Sequence, residues 1–215
     1  MKHRLWHAVV RRTPLGAVVC IASLALTLVC CRVLPPTLAD PPVAQSAQAQ
    51  ELTPTPACSR GVITPPQTEG PFYKPNSPER TSLIEPGLPG TKLVITGYVF
   101  TSDCQPVAGA WLDFWQADAS GSYDNNGYRL RGHQYTDATG RYSLETIIPG
   151  EYPGRTPHVH VKVQAPGQSA LTTQLYFPGQ PENSTDGIFN SALLLSIHDA
   201  DDGKLAMFDF VLDLG

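Results

Sequence analysis

After residue 90 the chain is written in short runs of β-branched and aromatic residues separated by clusters of Gly, Pro, Asp and Asn, and outside the apolar N-terminal segment no 3.6-residue period lasts for twelve positions. Short runs bounded by turn formers are strands; a helix would need a sustained apolar face. The runs fall at 93–100, 111–116, 142–147, 158–164, 172–177 and 207–212, and residues 190–198 are expected as a short helix. With 21 Pro, 18 Gly and only 16% charged residues, a long coiled coil or a charged helical bundle is excluded. The expectation is an all-β fold, a two-sheet β-sandwich with long functional loops over 68–215, preceded by a Pro-rich N-terminal arm.

Residues 1–39 read as an export signal. Lys2, Arg4, Arg11, Arg12 and Arg32 meet no acid there, residues 15–31 are uncharged, and Thr37, Leu38 and Ala39 suit a small-residue cleavage site. The Arg11 and Arg12 pair fits a twin-arginine signal and equally an ordinary basic start. An uncleaved anchor is a third reading and would be the chain's only contact with a membrane. The destination is then periplasmic or extracellular, or the membrane itself if the anchor is kept.

The whole chain carries −4, so the part beyond residue 39 carries −9, a poor surface for nucleic acid. That part keeps only Cys58 and Cys104 of the five cysteines, and an even pair in an oxidising compartment suggests one disulfide. Residues 40–67, rich in Pro, Ala, Gln and Thr, read as a linker. Residues 68–90 gain Phe72, Tyr73, Leu83, Ile84 and Leu88 and read as an extended arm lying on the domain.

The sharpest local feature is the run His158, Val159, His160, Val161, Lys162, Val163. Side chains alternate along a strand, so the two histidines share one face about 6.6 Å apart while the valines pack the other way. Two such imidazoles can hold one metal ion, and an exposed strand face is the bland alternative. Tyr152 and Arg155 lie just upstream in a Pro- and Gly-rich segment, and Tyr123 lies in another Gly-rich loop after the 111–116 run. His133 and His198 have no partner at ligand spacing and read as ordinary histidines.

Several motifs occur in order: Thr68, Glu69, Gly70, Pro71, Phe72, Tyr73; Trp115, Gln116, Ala117, Asp118 leading to Gly121, Ser122, Tyr123; Arg131, Gly132; and Gly140, Arg141, Tyr142. Then Pro149, Gly150, Glu151, Tyr152 run into Arg155, Thr156, Pro157, His158, Val159, His160. Over about residues 64–178 this series resembles the intradiol ring-cleavage dioxygenases, the non-haem iron(III) enzymes that include catechol 1,2- and protocatechuate 3,4-dioxygenases. The 40–67 region has no helix pattern where catechol 1,2-dioxygenases carry a helical segment, so the likeness is to protocatechuate-like or exported, minimal members.

The resemblance implies that Tyr123, Tyr152, His158 and His160 ligate Fe(III). Two phenolates with two neutral imidazoles leave one positive charge for substrate to neutralise, and hard anionic oxygen suits the ferric ion. It also implies that Arg155 stabilises negative charge on the substrate ring, that Tyr152 doubles as a base, and that Gln174 stands beside the pocket. Tyr73 and Trp115 are candidates for the substrate wall. The implied partners are a small catechol and O2, the implied product a cis,cis-muconate, and the oligomeric state is left open. One other class fits part of the pattern. The segment 97–110 and Gly140, Arg141, Tyr142 also suit an exported transthyretin-like or carboxypeptidase-regulatory-like binding module, which has no reason to carry the Tyr and His quartet.

Overall fold

The structure, a computed structural model, describes residues 58–214. The export signal over 1–39 and the linker as far as residue 57 lie outside the described residues. Among the described residues nine strands form two sheets: β1 (Lys92–Thr101), β2 (Trp111–Gln116), β3 (Arg131–Tyr135), β4 (Arg141–Ile147), β5 (His158–Gln164), β6 (Leu171–Tyr176), β7 (Ser196–Ala200), β8 (Gly203–Met207) and β9 (Phe210–Leu212). One sheet has the order β4-β1-β8-β7, with β9 also on β1, and the other the order β3-β2-β5-β6. This is the expected all-β sandwich.

Period-two alternation builds the core. Leu93, Ile95 and Val99 of β1 and Tyr142 and Leu144 of β4 face Leu112 and Phe114 of β2, Val159, Val161 and Val163 of β5 and Leu175 of β6. Each such side chain contributes about 1.5–3 kcal/mol through burial.

Three strands were not foreseen. β3 is mostly polar, and β7 and β8 form a hairpin with a polar turn, so none carries the apolar signal that marks a strand. The expected run 207–212 is also broken, because β1 changes partner there. Its first half pairs in parallel with β8 and its second half with β9. Between them, Phe208 N–H donates to Thr96 O at 3.0 Å, and the Asp209 carboxylate accepts Tyr98 N–H at 2.9 Å in place of a ladder bond. Of the helix expected at 190–198 only a single 3-10 turn, Ser191–Leu193, forms, and β7 follows it.

The arm closes the open side of the sandwich. His133 N–H donates to Pro78 O, Arg80 N–H to His133 O, Leu83 N–H to Glu145 O of β4, and Glu145 N–H to Thr81 O of the arm. The free edges of both β3 and β4 are thereby covered. The segment 64–67, expected as linker, is also tied down: Thr64 bonds Val211 in both directions, Thr173 Oγ1 donates to Pro65 O at 2.8 Å, and Gln67 N–H donates to Thr172 O at 2.8 Å.

Cys58 and Cys104 form a disulfide with a Cα–Cα distance of 5.4 Å across a separation of 46 residues. Closing a loop of that length is worth about 4 kcal/mol in the chain-entropy account. Cys58→Ser should therefore lower the urea midpoint, and the slope should rise because the denatured chain without its cross-link exposes more surface. An unchanged midpoint would show that the bond adds nothing to the bonds made at 64–67.

Candidate functional site

The site occupies the outer face of the four-stranded sheet, the face turned away from the valines of β5. Because β5 pairs antiparallel with β2 and β6, residues on this face form rows across the strands. His160 lies beside Trp115 and Gln174, Trp115 beside Arg131, and His158 beside Tyr176. Both histidines are almost fully buried, because the arm at 68–73 crosses over them with Gly70 against the His160 ring.

Two loops deliver the tyrosines. Gly121, at φ +82°, comes so close to the 151–152 backbone that an added Cβ would stand 1.9 Å from Glu151 O. Gly150 approaches the first loop in turn, with an added Cβ 2.5 Å from Ala119 O, and its N–H donates to Asp118 O at 2.8 Å. The two glycines let the loops touch backbone to backbone, which brings Tyr123 and Tyr152 to a ring separation of 5.8 Å. Tyr152 is 5.7 Å from His158, Tyr123 is 6.3 Å from His160, and the two histidine rings are 4.6 Å apart. All four expected ligands converge.

Their polar atoms suit a cation. His158 Nδ1 lies 2.6 Å from Thr156 O, which places its proton there and leaves Nε2 as a bare lone pair. That Nε2 faces His160 Nε2 at 3.0 Å. Two nitrogen donors at about 2.1 Å from one ion and at right angles to each other are separated by about 3 Å. Burial depresses the His158 imidazole to about 4 against the opposing Thr156 hydrogen bond, and burial followed by the neighbouring His158, Arg155 and Arg131 holds His160 well below its ordinary value, so both imidazoles are neutral. Tyr123 Oη is buried without a hydrogen-bond partner, and burial followed by the nearby Tyr152 pushes its phenol above the usual range. A bound cation would both satisfy and ionise that oxygen. Among the described residues no group of three or more His, Cys, Asp and Glu could hold a metal, so a metal bound at the histidine pair would have to draw on the two tyrosines as further donors. The quartet fits a ferric ion.

Arg155 stands beside the quartet. Its Nη1 donates to Tyr152 Oη at 3.2 Å, its Nη2 to Gln174 Oε1 at 2.5 Å, and its Nε to Asp186 Oδ2 at 2.9 Å. Burial alone would raise the Asp186 carboxyl, but the Ile188 amide, Arg155 and the Thr156 amide together hold it below the usual carboxylate range. Gln174 is itself fixed, donating to Thr68 O at 2.8 Å and accepting from Tyr176 Oη at 3.0 Å. A cavity of about 260 Å³ opens beside Tyr152 and Arg155, walled by Glu151, Pro153, Glu182 and Thr185.

Sequence reasoning missed Asp186, Tyr176 and the structural part of Phe72. Asp186 sits in a polar loop with nothing to distinguish it from a solvated acid. The two substrate-wall candidates fare differently from expectation. Trp115 is 1% exposed and stacks on His160 at 4.7 Å with an 8° tilt, so it backs that imidazole and offers no open surface. Tyr73 is held by its hydroxyl on Asp113 at 3.2 Å and packs edge-on against Trp115. His133 bonds the Ser77 backbone at 2.7 Å and His198 sits on β7; neither joins the quartet.

Comparison with known proteins agrees with this geometry. The family described as Dioxygenase matches residues 68–214. The catechol 1,2-dioxygenase of Candida albicans is 31% identical over 148 residues, 56% of this chain and 49% of that protein. The protocatechuate 3,4-dioxygenase beta chain of Burkholderia cepacia is 37% identical over 118 residues, 46% of this chain and 50% of that one. The chain thus spans about half the length of these curated relatives. Among solved structures, the dioxygenase domain of a dioxygenase carbohydrate-binding protein fusion from Streptomyces sp. SirexAA-E superposes with TM-score 0.70 at 55% identity, covering 72% of this chain and all of that one. An intradiol ring-cleavage dioxygenase from Tetranychus urticae gives TM-score 0.66 at 26% identity, covering 73% of this chain and 95% of that one. The fold, the convergent quartet and these similarities lead to one conclusion: the chain belongs to the intradiol ring-cleavage dioxygenase family.

Proposed function

We propose that this protein uses a non-haem ferric ion, held by Tyr123, Tyr152, His158 and His160, to open a catechol-type ring between its two hydroxyl-bearing carbons with O2, giving a cis,cis-muconate-type dicarboxylic acid. The observation that carries the reading is the gathering of two tyrosine rings and two neutral imidazoles on one sheet face, with ring centroids 4.6 to 6.3 Å apart and the two Nε2 atoms 3.0 Å apart. The binding-module reading explains none of these placements, and nothing specific favours it.

The ferric ion would supply Lewis acidity, drawing electron density from a bound catecholate and orienting it for attack by oxygen. Everything else is the work of the side chains. Tyr152 Oη accepts a hydrogen bond from Arg155, whereas Tyr123 Oη has no partner in the protein. Tyr152 is thus the phenolate with somewhere else to go, and it can take a proton from an incoming hydroxyl. Arg155 keeps its charge beside the position where the ring becomes electron-rich, and Asp186 and Gln174 fix its guanidinium before substrate arrives. The Thr156 carbonyl holds the His158 tautomer. Trp115 and Phe72 seal the ligands from water.

The substrate class follows the relatives, named as enzymes of catechol, chlorocatechol, hydroxyquinol and protocatechuate. Export to an oxidising compartment is part of the proposal, supported by the basic and apolar start of the chain and by the Cys58–Cys104 bond. N-terminal sequencing of the mature protein tests it; an intact residue 1 on soluble cytosolic protein would refute it.

Two outcomes test the chemistry. The iron-loaded protein should absorb in the visible through phenolate-to-iron charge transfer, and anaerobic catechol should move that band. Colourless protein holding stoichiometric zinc and unresponsive to iron would end the assignment. Arg155→Ala should keep iron, colour and most of its anaerobic catechol affinity, while turnover falls by about 10² to 10³, the scale for loss of one preorganised electrostatic group. If affinity falls while turnover at saturation holds, Arg155 anchors substrate and has no part in the chemical step.

A further inference from the structure

Arg131 is 1% exposed, yet among the described residues no carboxylate lies within ion-pair distance of it. Its guanidinium is spent on two backbone carbonyls. Nε and Nη2 donate to Asp124 O at 3.1 and 3.0 Å, and Nη1 donates to Phe72 O at 2.7 Å. The Asp124 carboxylate is turned away, accepting the amides of Asn126, Gly127 and Arg129. Burying a guanidinium on neutral acceptors is costly, so the arrangement calls for a reason.

Both carbonyls belong to residues that bear on Tyr123. Asp124 follows it in the chain, and the Phe72 ring stacks on the Tyr123 ring at 4.3 Å with a 15° tilt. The guanidinium carbon itself lies 6.0 Å from the Tyr123 ring centroid. Tyr123 is therefore gripped from the loop, from the arm and from one side, and a single buried cation joins all three. Its hydroxyl has no hydrogen-bond partner, so the contacts on its ring and backbone decide where that oxygen points. β3 makes the grip rigid, because Arg131 pairs across the sheet with Trp115, which in turn pairs with and stacks on His160.

We propose that Arg131 is a positioning residue for the metal centre, acting through Tyr123: its planar fork spans the arm and the loop and fixes where the phenol oxygen points. The inference rests on the reading of Tyr123 as an iron ligand. Lysine cannot replace it, since a compact ammonium cannot serve two carbonyls in fixed directions.

The test measures iron(III) affinity of the full, oxidised protein against a competing chelator, with the visible band as a second readout, in a cycle of Arg131→Lys, Tyr123→Phe and both together. Arg131→Lys should weaken iron binding about 10- to 100-fold, the range for groups that orient a ligand, and shift the band. In the Tyr123→Phe background the same substitution should cost almost nothing, because the residue it acts through is gone. Equal losses in both backgrounds would mean that Arg131 only supports packing, and wild-type affinity and colour in Arg131→Lys would remove the proposal outright. If Tyr123→Phe alone leaves affinity and band unchanged, the metal reading itself fails, and this inference falls with it. Should Arg131→Lys not fold, Phe72→Leu takes its place in the cycle. Its loss should also vanish with Tyr123→Phe, and an additive loss would overturn the proposal.

Discussion

The antiparallel register of β5 between β2 and β6 is the constraint on which the site depends. In that register the valines of β5 enter the core, and His158 and His160 stand on the opposite face beside Tyr176, Trp115 and Gln174. A slip by one residue would send both imidazoles into the apolar interior and the valines outward. Three core valines oppose such a slip, each at a cost of about 1.5–3 kcal/mol in lost burial. The packing that stabilises the sandwich thus also determines which way the two imidazoles point.

An outer sheet face is ordinarily wet, and here it is dry because the arm covers it. Lys162 pairs with Glu69 at 2.6 Å, Ser77 Oγ donates to Asp113 at 2.6 Å, and Tyr73 adds a second bond to the same carboxylate. Burial raises the Asp113 carboxyl above its ordinary value despite those bonds and the nearby Lys162. The arm is therefore fastened by polar contacts that gain strength from the desolvation they create. The same desolvation keeps His158 and His160 neutral, the form in which imidazole can bind metal.

Around the quartet, charge is arranged in two separate stations. Arg155, with Asp186 behind it, meets the open side next to Tyr152, whereas Arg131 sits on backbone carbonyls behind Tyr123. Two tyrosines that look alike in sequence thus face different surroundings. One has a hydrogen-bond donor beside its oxygen and the other has none, a difference that the fold alone creates.

The alternation at 158–163 and the turn-bounded runs made the sandwich and the histidine pair legible in the sequence, because strand periodicity is a local property of residue type and spacing, whereas Tyr123 and Tyr152 joined that pair only through the resemblance that the ordered motifs carry. The polar strands β3, β7 and β8 were not legible, since they are held by neighbours and carry no apolar pattern of their own. The split at Phe208 and Asp209 depends on β1 exchanging one parallel partner for another, a choice made by contacts more than 100 residues apart. Trp115 could be read as a pocket wall until stacking put it behind His160. Sequence alone determined which donors exist and on which face of β5 two of them lie. Only the tertiary structure decided that two loops could touch at Gly121 and Gly150, that the arm would dry the face, and that Asp186 and Arg131 would hold the remaining groups in position, because each of those is a meeting of segments distant in the chain.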